Sequence, residues 1–116
     1  MIENRKLAVL FRKFADERDW EQFHTPKNLA TALTIEAAEL LEIFQWSRGQ
    51  HGWRDLEDAK VRARTEEELA DILLYLVRFA DLAGIDLQQV AEAKMRLNAD
   101  KYPVERFRGS DKKYNE

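Results

Sequence analysis

The sequence predicts an all-α fold, in which one protomer forms a four-helix bundle. Apolar residues recur at the three- and four-residue spacing of helices, and no segment shows the strict alternation that is typical of a strand. Residues that break helices are few and widely spaced. They are Pro26, Gly49, Gly52, Gly84, Pro103 and Gly109. These breakers divide the chain into four long segments, each of which we predict to be one helix.

The first predicted helix runs from about Ile2 to Arg18. Its apolar face follows the i, i+3, i+4, i+7 pattern and consists of Leu7, Leu10, Phe11 and Phe14. The loop DWEQFHTPKN separates it from a second helix, which we expect to continue to about Trp46. Thr25 is a suitable N-cap, and Pro26 suits the first helical position because it has no N–H group to leave unpaired.

The third predicted helix begins between Leu56 and Thr65, after the loop SRGQHGWRD, and ends at Gly84, a typical C′ glycine. Apolar side chains surround much of its circumference, and a helix of this kind is usually buried on most sides. In a chain of 116 residues, this pattern indicates that a partner subunit covers part of the helix.

The fourth predicted helix is capped by Asp86, continues to about Tyr102 and is stopped by Pro103. We therefore predict one helical domain over residues 1–104. The remaining residues, 105–116, form a polar C-terminal tail that we expect to be mobile.

Composition excludes several classes of protein. The formal net charge is −3, with 19 lysines and arginines against 22 acidic residues, whereas nucleic-acid binders are usually basic. The absence of cysteine excludes disulfides and thiolate metal sites and is compatible with a reducing cytosol. No apolar run approaches the roughly 20 residues needed to span a bilayer, and the start, MIENRKLAV, does not resemble a secretory signal. We therefore expect a cytoplasmic protein with no nucleic-acid or membrane partner.

The second predicted helix carries three glutamates that point in different directions. At about 100° per residue, Leu29, Ala37, Leu40 and Phe44 lie within about 40° of Leu33 and form the apolar seam. Glu36 lies about 60° to one side of the seam, and Glu39 lies about 60° further round. Glu42 is opposite the seam and should face water.

The third predicted helix carries a similar pair of acids. Glu68 lies at the centre of its apolar face, and Asp71 lies about 60° away. The neighbours of Glu68 on this face are Ile72, Tyr75, Phe79 and Leu82. The motifs EAAE and ELAD thus each place two acids, three residues apart, on an inward or half-inward face.

These four carboxylates converge if the two helices pack antiparallel. Burying like charges together is costly, so protons, Lys or Arg partners, or metal ions must compensate. Mg²⁺, with Mn²⁺ as a possible substitute, prefers an all-oxygen site of this kind. The alternative is that these acids lie on ordinary solvated faces, as most acids with this spacing do.

Aromatic and basic side chains form a second set of candidates, since carboxylate-held metals often serve phosphate chemistry and a nucleotide needs stacking surfaces. The aromatic candidates are Trp20, Phe23, Trp46 and Tyr75, each equally consistent with a structural role in the bundle. Lys94, Asn98 and Lys101 share one face of the fourth helix, with Tyr102 nearby, although a solvated face also fits that spacing. His24, Lys27 and Asn28 flank the N-terminus of the second helix, where free N–H groups attract anions.

Together these residues resemble a known family. The matching features are Trp20, His24, Asn28, EAAE, FQW, ELADILLY and the pattern K-x₃-N-x₂-KYP. They are similar to the all-α nucleoside triphosphate pyrophosphohydrolases, the MazG-like group, over nearly the whole chain. The dCTP pyrophosphatase branch is the most similar one, and the segments RDWEQFHTPKNL and RGSDKKYNE contribute most to this similarity, together with the paired motifs ExxE and ExxD.

This resemblance implies a helical bundle that associates into a homo-dimer or homo-tetramer. It also implies a Mg²⁺-dependent hydrolase that cleaves a nucleoside triphosphate between its α- and β-phosphates. By the same resemblance, the metal ligands map to Glu36, Glu39, Glu68 and Asp71. The convergence of these four acids also leads us to expect that Glu36 or Glu39 takes the proton of the attacking water. The nucleotide contacts map to Trp20, His24, Asn28, Trp46, Tyr75, Lys94, Asn98, Lys101 and Tyr102.

Two alternatives stay open. Phe11 stands where the dCTP-like branch has a histidine near the base, and a phenyl ring cannot hydrogen-bond to cytosine. Another pyrimidine triphosphate or a modified nucleotide is therefore an alternative substrate. The other alternative is a non-catalytic oligomerisation or adaptor module, whose buried acids pair with Lys or Arg of a neighbouring chain.

Overall fold

A computed structural model of the chain describes residues 1–49, 52–113 and 115. These residues form five α-helices and two short 3₁₀ segments, and no strand is found among them. The helices are α1 (Asn4–Glu17), α2 (Pro26–Phe44), α3 (Ala59–Ala83), α4 (Leu87–Lys101) and the one-turn α5 (Val104–Phe107). The 3₁₀ segments are Glu21–Phe23 and Gly52–Glu57. The predicted all-α class, with four long helices, is confirmed.

Parts of two predicted segments lie outside the described residues. They are Gln50 and His51 of the loop before α3, and Tyr114 and Glu116 of the tail. Within the described part of the chain, every helix is too short or too polar to cross a bilayer.

The helix ends follow the local signals of the sequence. Oγ1 of Thr25 accepts a hydrogen bond from the backbone N–H of Asn28 at 3.2 Å, and Pro26 occupies the first position of α2. Gly84 follows α3 with φ of 68°, the left-handed conformation that glycine adopts without a Cβ clash. Asp86 caps α4 by accepting from the N–H of Gln89 at 3.0 Å. These predicted boundaries are confirmed.

The chain divides into two compact units, Met1–Ala83 and Gly84–Glu116. In the first unit, α1 and α2 both pack on α3, and the fully buried apolar residues are Ala15, Leu29, Val77 and Ala80. The helices α2 and α3 are antiparallel, because His24, just before α2, bonds to Arg78 near the end of α3. This pairing brings the middle of α2 beside the middle of α3. The predicted division into a 1–104 domain and a 105–116 tail stays a prediction.

The predicted apolar face of α1 is wrong for two of its four residues. Leu7 and Phe11 are half-buried and continue to the buried Ala15, whereas Leu10 is 55% exposed and Phe14 is 42% exposed. The Phe14 ring packs on Trp20, with ring centroids 5.4 Å apart, instead of entering the core. The inward stripe of α1 therefore follows a four-residue step rather than the predicted alternation of three and four.

Several large apolar side chains on α2 and α3 face outward. Ile35 and Leu41 of α2 are 51% and 68% exposed, and Leu69 of α3 is 51% exposed. Beside them, an apolar groove with a volume of about 590 Å³ lies between α2, the Gly52–Glu57 turn and α3. Trp53, which is 87% exposed, forms part of its wall. This single chain thus leaves a large apolar surface uncovered.

The second unit contains α4 and the short α5, which was not predicted. The Tyr102 ring, at the end of α4, meets the Phe107 ring edge to face, with centroids 4.8 Å apart. The residues directly after Pro103 thus form one regular turn of helix, with this ring contact at its end.

Candidate metal and nucleotide site

Three predicted metal ligands converge where α2 and α3 cross at mid-length. Glu36 and Glu39 of α2 and Glu68 of α3 each offer one carboxylate oxygen, and these three atoms lie within 4.8 Å of one another. We call these three residues the acid cluster. Oε2 of Glu36 and Oε2 of Glu68 are buried and have no hydrogen-bond partner among the described residues. Buried acceptors without partners are costly, so the cluster is suited to an added positive charge.

The electrostatics of the cluster reflect this crowding. The pKa of Glu36 is raised from an ordinary value of 4.5 to about 7. The largest cause is hydrogen bonding to the Glu68 carboxyl, followed by burial and then by the Glu39 carboxyl. In the absence of another cation, the cluster therefore keeps a proton to a much higher pH than a surface carboxyl does.

Asp71 lies next to the cluster but outside the convergent group of oxygens. It is half-buried, and its charge contributes to the raised pKa values of both Glu36 and Tyr75. The structure therefore brings together three of the four predicted ligands and places the fourth nearby. Glu42 is exposed on the far side of α2, as the helical wheel predicted.

The residues of the cluster fit a divalent metal. All of the available donors are carboxylate oxygens, which Mg²⁺ and Mn²⁺ prefer. The two buried oxygens that lack a partner among the described residues belong to Glu36 and Glu68, and these residues also contribute to the group of oxygens within 4.8 Å of one another. Three carboxylates leave open positions for water or phosphate oxygens in an octahedral shell.

A row of aromatic rings leads away from the acid cluster. Tyr75, one turn beyond Asp71, has a pKa raised by burial first and then by the charges of Glu36 and Asp71. Ring centroids lie 6.0 Å apart for Tyr75 and Phe11, 5.7 Å for Phe11 and His24, and 6.4 Å for His24 and Trp20. We call Tyr75, Phe11, His24 and Trp20 the aromatic row. It brings together three of the predicted nucleotide contacts and includes Phe11.

Asn28 forms hydrogen bonds within the protein through both its side chain and its backbone N–H. Its side-chain Nδ2 donates to the backbone carbonyl of Phe23 at 2.8 Å, while its own N–H is bonded to Thr25. These bonds tie the Glu21–Phe23 turn to the start of α2. The amide is therefore engaged inside the protein.

Trp46 lies far from the aromatic row. It follows the C-terminal end of α2 and is 87% exposed, whereas Trp20 and His24 precede the N-terminal end of this helix. At a rise of 1.5 Å per residue, Pro26 and Phe44 are separated by about 27 Å along the helix axis. Trp46 and Trp20 thus flank the acid cluster from opposite directions.

The remaining predicted contacts belong to α4. Lys94, Asn98 and Lys101 follow one face of this helix at spacings of four and three residues, and Tyr102 is its C-cap. Asn98 and Tyr102 are half-buried, whereas the two lysines are exposed. Their shared face is confirmed within the second unit.

Arg78 is the residue that the sequence analysis missed. It is 1% exposed, and its Nε donates to Nδ1 of His24 at 3.1 Å. A signal for it was present, because Arg78 is the one charged residue in the run ILLYLVRFA of α3. Arginine is almost never fully buried unless it has a partner, so such a position calls for a search for one.

The fold and the acid cluster define a class: an all-α protein with a carboxylate centre that fits a divalent cation. A sequence profile described as the MazG-like family matches residues 31–116. The chain belongs to the MazG-like family.

Individual relatives are similar over most of this chain. It is 46% identical over 107 residues to dCTP pyrophosphatase 1 of Mus musculus and 45% identical over 111 residues to that of Homo sapiens. Each match covers 92% of this chain but 63% of the relative, so the chain spans less than two thirds of their length. The fold is also similar to the crystal structure of a pyrophosphatase from Archaeoglobus fulgidus DSM 4304, with a TM-score of 0.79 and 44% sequence identity. The match covers 85% of this chain and 91% of the other.

Proposed function

We propose that this protein is a Mg²⁺-dependent nucleoside triphosphate pyrophosphohydrolase. It cleaves between the α- and β-phosphates of dCTP, or of a related or modified pyrimidine deoxynucleotide, and releases the monophosphate and pyrophosphate. The observation that carries this proposal is the acid cluster, in which two buried carboxylate oxygens have no hydrogen-bond partner among the described residues. The names of the mouse and human relatives support the choice of reaction and base.

The residues of the acid cluster have distinct tasks in this proposal. When bound, the metal neutralises phosphate charge and increases the reactivity of the α-phosphorus toward water. Glu36, Glu39 and Glu68 hold it, with Asp71 beside them. Either Glu36 or Glu39 accepts the proton of the water as its oxygen bonds to the α-phosphorus. The bond from that phosphorus to the bridging oxygen then breaks, and pyrophosphate leaves.

The aromatic row holds the nucleoside. Tyr75 is adjacent to the acid cluster, so a nucleotide whose phosphates lie at the cluster can extend its sugar and base along the row. Phe11 offers the base an apolar ring edge and no hydrogen bond, which favours tolerance of modified pyrimidines. Lys94 and Lys101 of α4 offset charge on the leaving pyrophosphate.

We also propose that the protein acts as a homo-dimer or homo-tetramer. The outward apolar side chains of α2 and α3, with the groove beside Trp53, form a surface that a second copy can bury. Pro26 and Phe44 are about 27 Å apart along α2, so Trp20 and Trp46 lie beyond opposite ends of this helix. If both contact the same nucleotide, two copies that each supply one of them explain this best. Mixing Glu36→Gln and Trp46→Ala subunits regenerates intact sites only if two copies share a site. Sedimentation analysis gives the oligomeric state, and a monomer at all concentrations contradicts this part.

The test of the reaction uses a panel of canonical and modified nucleoside triphosphates in ¹⁸O-labelled water. We expect stoichiometric monophosphate and pyrophosphate, with the label only in the monophosphate, because water attacks the α-phosphorus. Label in pyrophosphate, release of orthophosphate, or no turnover of any nucleotide contradicts the proposal. The order of kcat/KM across the panel identifies the preferred base.

A further inference from the structure

Arg78 is a buried cation that the proposed reaction does not use. Its side chain lies on α3 two turns beyond Asp71, and one of its nitrogens, Nη1, is buried without a partner among the described residues. The guanidinium carbon lies 5.7 Å from the ring centroid of Phe11. Its Nε donates a hydrogen bond to Nδ1 of His24. This bond joins the last part of α3 to the segment just before α2. A buried charge with so few partners is weak evidence for a stabilising role.

This hydrogen bond determines where His24 carries its proton. A guanidinium group has only donors and is always protonated in proteins, so Nδ1 of His24 must be the acceptor. A neutral imidazole with Nδ1 as acceptor carries its hydrogen on Nε2. If the imidazole took up a second proton, Nδ1 would carry a hydrogen that faces the guanidinium group, so two donors would oppose each other. In agreement, the pKa of His24 is lowered, first by burial and then by the charge of Arg78.

The ring of His24 is also held in place. Phe11 and Trp20 both meet it edge to face, at 5.7 and 6.4 Å, so the imidazole plane is restricted on two sides. Nε2 has no hydrogen-bond partner in residues 1–49, 52–113 and 115. His24 therefore offers one unused donor, in the row of rings that begins at Tyr75 beside the acid cluster.

We propose that Arg78 is a positioning residue: it holds His24 in the Nε2–H tautomer, and that N–H donates to an oxygen of the bound nucleotide. This inference rests on the proposed function for the identity of the ligand. Arg78 itself does not touch the nucleotide. Its effect on binding passes through the proton position and orientation of the His24 ring.

The tautomer can be measured without any change at Arg78. Long-range ¹H–¹⁵N correlation spectra distinguish a protonated from an unprotonated ring nitrogen, and the chain has two histidines, so His51→Gln assigns the signals. We expect the Nε2–H form of His24 in the wild type, and a shift of the Nε2 signal on adding Mg²⁺ and a dCTP analogue with a non-hydrolysable α,β-bridge. A predominant Nδ1–H form, or no shift at saturating analogue, overturns the proposal.

A double-mutant cycle tests whether Arg78 acts through His24. We expect Arg78→Met to raise KM about two- to tenfold, the range for one hydrogen bond, with a smaller change in kcat. In the His24→Ala background, Arg78→Met should not change KM further, because the side chain that Arg78 positions is absent. Effects that multiply in the double variant overturn the positioning role.

Arg12→Met is the matched control. Arg12 also joins its helix to α3, but its guanidinium group pairs with Asp81, at 2.7 Å, rather than with His24. It should leave KM unchanged. If the wild type hydrolyses nucleotides and the cycle is multiplicative, the positioning role fails and the proposed function stands. If the wild type neither hydrolyses nor binds any nucleotide, the proposed function fails, while the tautomer spectrum still reports on Arg78 and His24.

Discussion

Two groups of buried polar atoms lie between α2 and α3 and differ in how their charge is balanced. The acid cluster joins three acidic groups, and two of their oxygens are buried without a partner in the part of the chain that the structure describes. The Arg78–His24 pair joins one fixed cation to a neutral ring, and Nη1 of Arg78 is buried without a partner among the described residues. The first arrangement is completed only by a proton or an added cation, whereas the second sets the state of its neighbour. A buried charge thus indicates a ligand in one place and a positioned side chain in the other.

The largest expected effect is the loss of activity on removing one charge of the acid cluster. Glu36→Gln and Glu39→Gln keep the size of the side chain but remove a ligand and a possible proton acceptor. We expect each to lower kcat for pyrophosphate release by about 10²–10⁴-fold, the range for a catalytic acid or base. The measurement is pyrophosphate release at saturating Mg²⁺ and dCTP.

Glu42→Gln is the matched control, since Glu42 lies on the same helix but is exposed. It should keep wild-type turnover. Circular dichroism should report unchanged helicity in all three variants. Wild-type turnover in Glu36→Gln and in Glu39→Gln would remove the acid cluster from the proposed reaction.

The second effect is thermal stabilisation by Mg²⁺. An ion that binds only the folded chain stabilises it by about 2.7 kcal/mol at a free concentration 100 times its Kd, which raises Tm by several degrees in a domain of this size. The doubly substituted Glu36→Gln, Glu68→Gln protein should show no such rise. If Mg²⁺ shifts the Tm of both proteins equally, or of neither, the adaptor alternative with acids paired to another chain becomes the better explanation.

The acid cluster could be predicted from the sequence and the Arg78–His24 pair could not. Glu36, Glu39 and Glu42 were sorted correctly because the 100° step of a helix fixes directions, and Thr25 and Gly84 fix where the helices begin and end. Directions do not give distances, so the wheel could not place Asp71 outside the convergent group. The bond between Arg78 and His24 joins residues 54 positions apart, and it depends on how two helices pair. Local periodicity contains no such information, as the outward positions of Leu10 and Phe14 also show.

The third effect is a dependence of metal-free stability on pH. The pKa of Glu36 is about 7 in the folded chain against an ordinary 4.5, so between these values the folded state binds a proton that the unfolded state has lost. Stability therefore falls as pH rises through this window and levels off above it. We expect the Tm of the wild type, measured in EDTA relative to Glu36→Gln, to decrease from about pH 4.5 to about pH 7. If the Tm difference between the wild type and Glu36→Gln stays constant or increases with pH, the three carboxyls do not raise the pKa of Glu36 by crowding.

The smallest expected effects are those of the two arginines on stability. Arg12 forms an ion pair in which its own side chain is 54% exposed, and Arg12→Met should cost about 1 kcal/mol or less. Arg78→Met removes a fully buried cation whose Nη1 has no partner among the described residues, and the desolvation cost that this relieves offsets the hydrogen bond lost at His24. We therefore expect its unfolding free energy, from urea titration, to stay within about 1 kcal/mol of the wild type. A loss of several kcal/mol would mean that Arg78 holds the fold together, whereas near-neutral stability with a raised KM separates the positioning of His24 from packing.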